Sequence, residues 1–309
     1  MDNQSKIILI AGPTASGKSN FAVNLAKKID GEIINADSMQ IYKQLKILTA
    51  RPNKKEQKNI RHHLYGIINI NKNFSSGTWL KLAISKIKEI RRRKKIPIVV
   101  GGTGLYFQSL INGLVKIPNI SMKLRNKIRS MQKRYGQKKF YKKLLKLDPK
   151  VKSKFDPNDT QRSIRAFEIK THTKISMYDW LNKTKPIFNE SVFLKFYVNF
   201  ERSKLIKRIQ KRTENMIKKG AIQEVVKFNK LRIKKDKSIK KVIGIEVQHP
   251  KDYHKNWPNK KSEGLFIEGN KYYGTKKIAL NPYFSSIGTA TSILFRIPSS
   301  KVSKIPGRV

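Results

Sequence analysis

The chain has no cysteine. Disulfides, thiolate catalysis and Cys-ligated zinc are thereby excluded. Histidine is scarce, with five in 309 residues. His62, His63, His172, His249 and His254 form no ligand-spaced set, and the adjacent pair His62–His63 reads as a solvated loop. Long apolar runs are missing as well. Residues 7–11 make a short apolar stretch suited to a strand and too short for a bilayer, and residues 1–6 are polar with no leader-like pattern. The expectation is a soluble cytoplasmic protein without a membrane partner. Acidic residues are few, 20 against 69 Lys and Arg, and none follows Glu268.

That deficit leaves a formal charge of +49. An excess of this size favours a polyanion through phosphate contacts and counterion release. A Lys-, Ile- and Asn-rich compositional bias would inflate lysine everywhere and stands as the plain alternative. Membrane-surface binding fits less well, because no basic amphipathic helix with aromatic anchors stands out. The length exceeds one ordinary core, and 38% hydrophobic residues suffice to build one, so two domains or a core with an insertion are expected.

Along the chain, residues 6–12 (KIILIAG) read as a buried strand. Residues 18–29 follow as a helix with Phe21, Ala22, Leu25, Ala26 and Ile29 on one face. Residues 32–37 (EIINAD) form a second strand ending in an acid. Residues 75–95 carry Trp79, Leu82, Ala83, Ile87 and Ile90 at helical spacing and end in RRRKK, where the helix dipole favours cations. Residues 96–100 (IPIVV) run as a third strand into Gly101-Gly102-Thr103-Gly104. This alternation predicts an open parallel α/β sheet.

Residues 1–114 are thus the first part of an α/β core. Residues 115–190 are very basic, with helices over 123–134, 138–147 and 160–171, and read as an insertion. Residues 191–246 return to the core through a strand over 193–200 and one long helix over 202–231. From residue 247 to 309 the helical period is lost and no structure is assigned.

Gly12, Pro13, Thr14, Ala15, Ser16, Gly17, Lys18 and Ser19 match G-x-x-x-x-G-K-S between a strand and a helix, the context a phosphate loop requires. The glycines let backbone N–H groups turn inward, and the helix N-terminus adds a positive dipole end. Lys18 neutralises phosphate oxygen, and the Ser19 hydroxyl can ligate Mg²⁺. The loop reads linked phosphates and is silent on what they are attached to. Asp37 could bind Mg²⁺ through water, cap the next turn together with Gln40, or act as a general base. Thr103 offers a hydroxyl at the same sheet edge. Arg162 and Arg165 share a helix face suited to phosphate or base contacts, or to simple solvation, and Arg208 and Arg212 are open to the same two readings.

Taken together, GPTASGKS, INADSMQIYKQLKILTARP (34–52), IPIVVGGTGLYFQSL (96–110) and DPNDTQRSIRAFEI (156–169) resemble, in order and spacing, the tRNA dimethylallyltransferase (tRNA isopentenyltransferase) family. The resemblance covers residues 5–246. It implies a P-loop NTPase-like α/β core with a helical insertion that grips the tRNA anticodon arm. It also implies transfer of a dimethylallyl group from dimethylallyl diphosphate to N6 of the adenosine 3′ of the anticodon, without ATP. On that resemblance Asp37 is the general base and Thr103 places a reactant. Residues 12–19 and Arg212 hold the diphosphate with Mg²⁺ at Ser19. Asp37, Ser38, Met39, Gln40, Thr103, Arg125, Gln161, Arg162, Ser163, Ile164, Arg165, Lys241 and Gly244 face tRNA.

The family's C-terminal T-R-x-x-A-K-R-Q-x-T-W string is absent after residue 246, which suggests a frameshifted or diverged tail; resequencing the locus near codon 247 tests this. A prenyltransferase acting on free adenine nucleotides, a P-loop kinase, and an RNA-binding protein with impaired catalysis are the rival readings. Nothing in the sequence requires more than a monomer.

Overall fold

A computed structural model describes residues 6–72, 74–115 and 117–231, and the backbone of 265–268 and 271–274. In chain order the elements are β1 (Ile7–Ala11), α1 (Lys18–Lys28), β2 (Gly31–Asn35), α2 (Lys54–Gln57), β3 (His62–His63), α3 (Ser76–Arg92), β4 (Ile96–Gly101), α4 (Gly104–Asn112) and α5 (Met122–Leu147). They continue with α6 (Thr160–Thr173), α7 (Met177–Asn182), β5 (Phe193–Tyr197), α8 (Arg202–Lys218), α9 (Ala221–Asn229), and the hairpin β6 (Leu265–Glu268) and β7 (Lys271–Gly274).

The first five strands form one parallel sheet in the order β3-β2-β4-β1-β5. β1 is buried at every residue, and β4 at all but its first. Strands covered on both faces read as unbroken apolar runs, which is why IILIA and IPIVV carry no alternation. On one face Ala22, Val23 and Ala26 of α1 pack with Ile8, Ile10, Ile33, Ile98 and Val100. α3 buries Trp79, Leu80, Ala83, Ile87 and Ile90, and starts where the Ser75 side chain accepts the N–H of Thr78. The register sets Ala11 beside Gly101 and Asn35 beside Val100. The carboxyl ends of β1, β2 and β4 therefore finish level, and their loops open on one edge, where open α/β sheets bind ligands.

Two expectations change. The single helix expected over 202–231 is two, because Gly220 adopts φ 90 between α8 and α9. A left-handed residue cannot continue a helix, and glycine enters that region without a Cβ penalty. The histidine pair is not a solvated loop. It forms edge strand β3, and His63 Nε2 lies 2.7 Å from Oε2 of Glu32, a side chain only 3% exposed that also takes Arg93 at 2.7 Å. A buried carboxylate needs such partners. Burial works against ionisation of Glu32, but the hydrogen bonds from Arg93 and His63 overcome it and hold its pKa below the ordinary value.

The described residues within Met1–Ser109 and Asn189–Val309 form one compact unit, and those of Leu110–Phe188 a second. The second is helical. Its core joins Tyr141, Leu144, Val151, Phe155 and Ala166, and Phe140 stacks on Phe167 at 5.1 Å. α5 is interrupted at Gly136 (φ 70, ψ 165), between the two helical stretches expected from sequence.

Candidate active site

The phosphate loop leaves β1 at Gly12 and enters α1 at Lys18. A Cβ on Gly12 would lie 2.9 Å from the Val198 carbonyl oxygen, so only glycine fits where the loop brushes the chain after β5. Ala15 (φ 59) and Gly17 (φ 94) supply the left-handed turns that curl the loop. Gly17 gives α1 no side-chain cap, and its first turn holds no acid, so the chain itself leaves the positive helix end uncompensated. Ser16 Oγ is buried without a hydrogen-bond partner among the described residues.

Lys18 donates from Nζ to the Pro13 carbonyl at 3.0 Å. Burial pulls its pKa from 10.5 down to about 8; Asp37 opposes the shift and Arg212 adds to it. Thr14, Lys18 and Ser19 line a cavity with Asp37, Gln40, Thr49, Ala50, Tyr65, Val100, Gly101 and Arg212. The sheet edge thus brings together the phosphate-loop residues Thr14, Lys18 and Ser19 with Asp37 and Arg212. Burial lowers the Arg212 pKa against the pull of Asp37 and Glu56. Burial and then the Asp37 charge raise that of Tyr65, which stays a proton donor. Arg208 does not line this cavity but lies against the phosphate loop: a Cβ built on Gly17 would sit 3.6 Å from its Nη2, and its guanidinium carbon is 4.6 Å from the ring centre of Phe200.

Asp37 shows the capping reading and also faces the cavity. One carboxylate oxygen, Oδ1, accepts the N–H groups of Met39 (2.8 Å) and Gln40 (3.3 Å), a capping role, while the residue also lines the cavity. Its backbone is pinned by Asn35, whose Oδ1 accepts Asp37 N–H at 2.9 Å and whose Nδ2 donates to Asp37 O at 3.0 Å. Trp79, fully buried, donates from Nε1 to Asn35 O at 2.8 Å. Thr103 Oγ1 accepts Ser38 N–H at 3.0 Å, which leaves its own proton to donate. Gln40 spends both amide hydrogens within the chain, on the carbonyls of Thr49 (2.9 Å) and Ala50 (3.1 Å). Met39 lies half-buried in the same turn as Asp37.

The second unit holds the other named residues. Gln161 and Arg162 are exposed at the start of α6, whereas Ser163 is fully buried and bonded to Gln137 at 3.0 Å. Ile164 is half-buried. Glu168, 3% exposed, lies 3.3 Å from Arg165 and 3.9 Å from both Arg125 and Arg129, so three guanidiniums share one carboxylate. Lys241 and Gly244 lie outside the described residues.

Sequence reasoning passed over Tyr65, Thr49, Ala50, Glu168 and Arg129. Only Glu168 carried a legible sign, an acid on an otherwise basic helix. Among the described residues no helix is long and apolar enough to cross a membrane, and no group of three or more His, Cys, Asp or Glu is placed to hold a metal.

The IPP transferase family model matches residues 40–261. The tRNA dimethylallyltransferase of Pelagibacter ubique (strain HTCC1062) is 71% identical over 245 residues, covering 79% of this chain and 78% of that protein. The tRNA dimethylallyltransferase of Rickettsia massiliae (strain Mtu5) is 43% identical over 247 residues, 79% of this chain and 67% of that protein. Among solved structures, a eukaryotic dimethylallyltransferase acting on tRNA is similar with TM-score 0.63 and 34% identity; 73% of this chain matches, and it spans 56% of that one. The full-length tRNA isopentenylpyrophosphate transferase of Bacillus halodurans gives TM-score 0.56 at 30% identity, over 96% of this chain and 88% of the other. Sheet order, phosphate loop and these likenesses agree, and the chain belongs to the IPP transferase family, the tRNA dimethylallyltransferases.

Proposed function

We propose that the chain transfers a dimethylallyl group from dimethylallyl diphosphate to N6 of the adenosine 3′ of the anticodon in tRNA, releasing diphosphate. The observation that carries this is one cavity lined by the phosphate-loop residues Thr14, Lys18 and Ser19, by Arg212 and by the Asp37 carboxylate. A kinase needs its acceptor to attack phosphorus. Here the bound phosphates are the leaving group.

In the reaction the allylic C1–O bond breaks with its electron pair going to diphosphate, a C–N6 bond forms, and N6 gives up one proton. Lys18, Arg212 and the loop N–H donors stabilise the charge that grows on diphosphate, the largest kind of contribution fixed donors make. Asp37 takes the N6 proton through the carboxylate oxygen not occupied by the Met39 and Gln40 amides. Its pinned backbone keeps that oxygen in place. Thr103 donates its hydroxyl proton to a reactant.

Ser19 supplies one hard oxygen ligand. The residues that would hold a Mg²⁺ here are Ser19, through its hydroxyl, and Asp37, since no larger cluster of His, Cys, Asp or Glu is present among the described residues. When bound, the ion would supply positive charge toward the diphosphate. The target base must leave its stack to react. The basic second unit, with Arg125, Arg129, Arg162 and Arg165, supplies phosphate contacts for the RNA that holds it. A monomer working in the cytoplasm satisfies this scheme.

Purified chain with labelled dimethylallyl diphosphate and tRNA, AMP or no acceptor tests the reading. Label enters tRNA; ATP-dependent phosphate transfer without prenylation refutes it. Asp37→Asn keeps an oxygen for the turn and loses the base. It lowers turnover about 10²–10⁴-fold while tRNA retention in a gel shift persists. Near-normal turnover would remove the base role.

A further inference from the structure

We infer that Glu224 on α9 is a positioning residue for the donor site, a role that rests on the prenyl-transfer reading. The segment after Asp37 forms no strand or helix before α2; a parallel bridge between Tyr42 and Ile68 holds its first part, and the stretch beyond Lys43 lies outside that bridge. It passes through left-handed backbone at two non-glycine residues, Leu45 (φ 57) and Ala50 (φ 50). Such conformations persist only where surroundings enforce them.

One enforcer comes from far along the chain. The Glu224 carboxylate accepts the Ile47 N–H at 2.9 Å (Oε1) and 3.0 Å (Oε2), and the Leu48 N–H at 2.9 Å (Oε2). Two successive amides aimed at one carboxylate are charge-assisted, and they fix the loop in direction as well as place.

The next two residues, Thr49 and Ala50, are cavity wall. Their carbonyls are held by Gln40 Nε2, and the Gln40 N–H is one of the two that cap Asp37. A continuous path of hydrogen bonds therefore runs from Glu224 through residues 47–50 and Gln40 to the carboxylate of Asp37. Arg51 ties the far end of the loop, donating to Tyr42 O at 2.9 Å and Lys43 O at 3.2 Å. α8 carries Arg212 into the cavity directly, and α9, turned at Gly220, carries Glu224 to the loop behind it. Both helices of this pair thus act on one site.

The test uses the full chain. Amide hydrogen exchange on the unaltered protein reads protection at Ile47 and Leu48. Steady-state prenylation of tRNA with varied dimethylallyl diphosphate is compared between it and Glu224→Gln. Calorimetry with dimethylallyl diphosphate alone reads donor affinity in both. The expected result is slow exchange at 47 and 48 that is lost in Glu224→Gln, with donor KM and Kd raised about tenfold, one factor of ten per 1.4 kcal/mol, and tRNA retention in a gel shift unchanged.

A role in stability alone would reduce the active fraction, and so kcat, but leave donor KM and Kd alone; that outcome overturns the inference. So does rapid exchange at 47 and 48 in the unaltered chain, a reading that survives even if the variant fails to fold. If the unaltered chain transfers no label to tRNA, the function fails while the exchange and calorimetry still decide this point.

Discussion

Gly101→Ala and Gly102→Ala alter neighbouring residues and have opposite expected outcomes. A Cβ at Gly101 would sit 2.1 Å from the Ala36 carbonyl oxygen, 2.2 Å from its carbon and 2.8 Å from its Cα. Ordinary contact begins near 3.4 Å, so the overlap exceeds about 1 Å, and it falls on backbone that no rotamer change can move. Ala36 precedes Asp37, and β2 and β4 must part at the end that carries the carboxylate. Overpacking of this kind costs about 1–3 kcal/mol, which for a chain of this size lowers Tm by roughly 2–4 °C per kcal/mol. A displacement of about 1 Å at the reacting groups costs about 10²-fold in rate.

At Gly102 the nearest atom to a built Cβ is the Gly12 carbonyl oxygen at 3.8 Å, ordinary contact. Thermal melts of both variants and labelled prenyl transfer to tRNA by Gly101→Ala provide the comparison. Gly101→Ala loses about 10²-fold in turnover at a temperature where it is folded, and Gly102→Ala changes stability by less than about 0.5 kcal/mol. Gly101→Ala with native Tm and native turnover would refute the reasoning.

Lys18 sets a pH dependence. Its folded pKa of about 8 lies below the ordinary 10.5, so between these values the unfolded chain binds a proton the folded one lacks, and stability rises with pH across that window. Donor binding wants the charged form. Donor affinity therefore falls above pH 8 by up to about tenfold per unit, and Lys18→Gln flattens the profile; a flat profile in the unaltered protein counts against the assignment. Trp79→Phe leaves the Asn35 carbonyl buried without its donor and costs about 1–3 kcal/mol by denaturant titration, with a fall in turnover because Asn35 holds Asp37. Arg162→Gln, at an exposed site, weakens tRNA binding and reduces the slope of log K against log salt by about 0.7–0.9; an unchanged slope removes Arg162 from the phosphate contacts.

The parts legible in the sequence were those encoded locally. A buried strand, a glycine loop and an apolar stripe at helical spacing announce β1, the phosphate loop and α1 within 25 residues. α3 declares itself through Trp79, Ala83, Ile87 and Ile90. The parts that were not legible depend on distance. Glu224 meets Ile47 across 177 residues, and no local pattern marks either as a partner. Tyr65 reads as one more apolar position beside the histidine pair until the fold sets it in the cavity. Asp37 is open between capping and catalysis because both use the same acid at the same strand end; the structure shows the capping bonds at Oδ1. Gly220 was passed over because the residues on either side keep a helical pattern that its backbone interrupts.

The sheet order has a consequence for distance. β4 lies between β1, which delivers the phosphate loop, and β2, which delivers Asp37. The strands that carry the phosphate loop and Asp37 therefore lie two strand spacings apart, about 9–10 Å. That interval is ruled by backbone hydrogen bonds, so it changes only where the strands themselves are forced to part, as in Gly101→Ala. The strand between them ends in Gly101, whose missing side chain lets the Ala36 backbone close against it, so the strand ends that carry the loop and the acid are drawn in around one cavity.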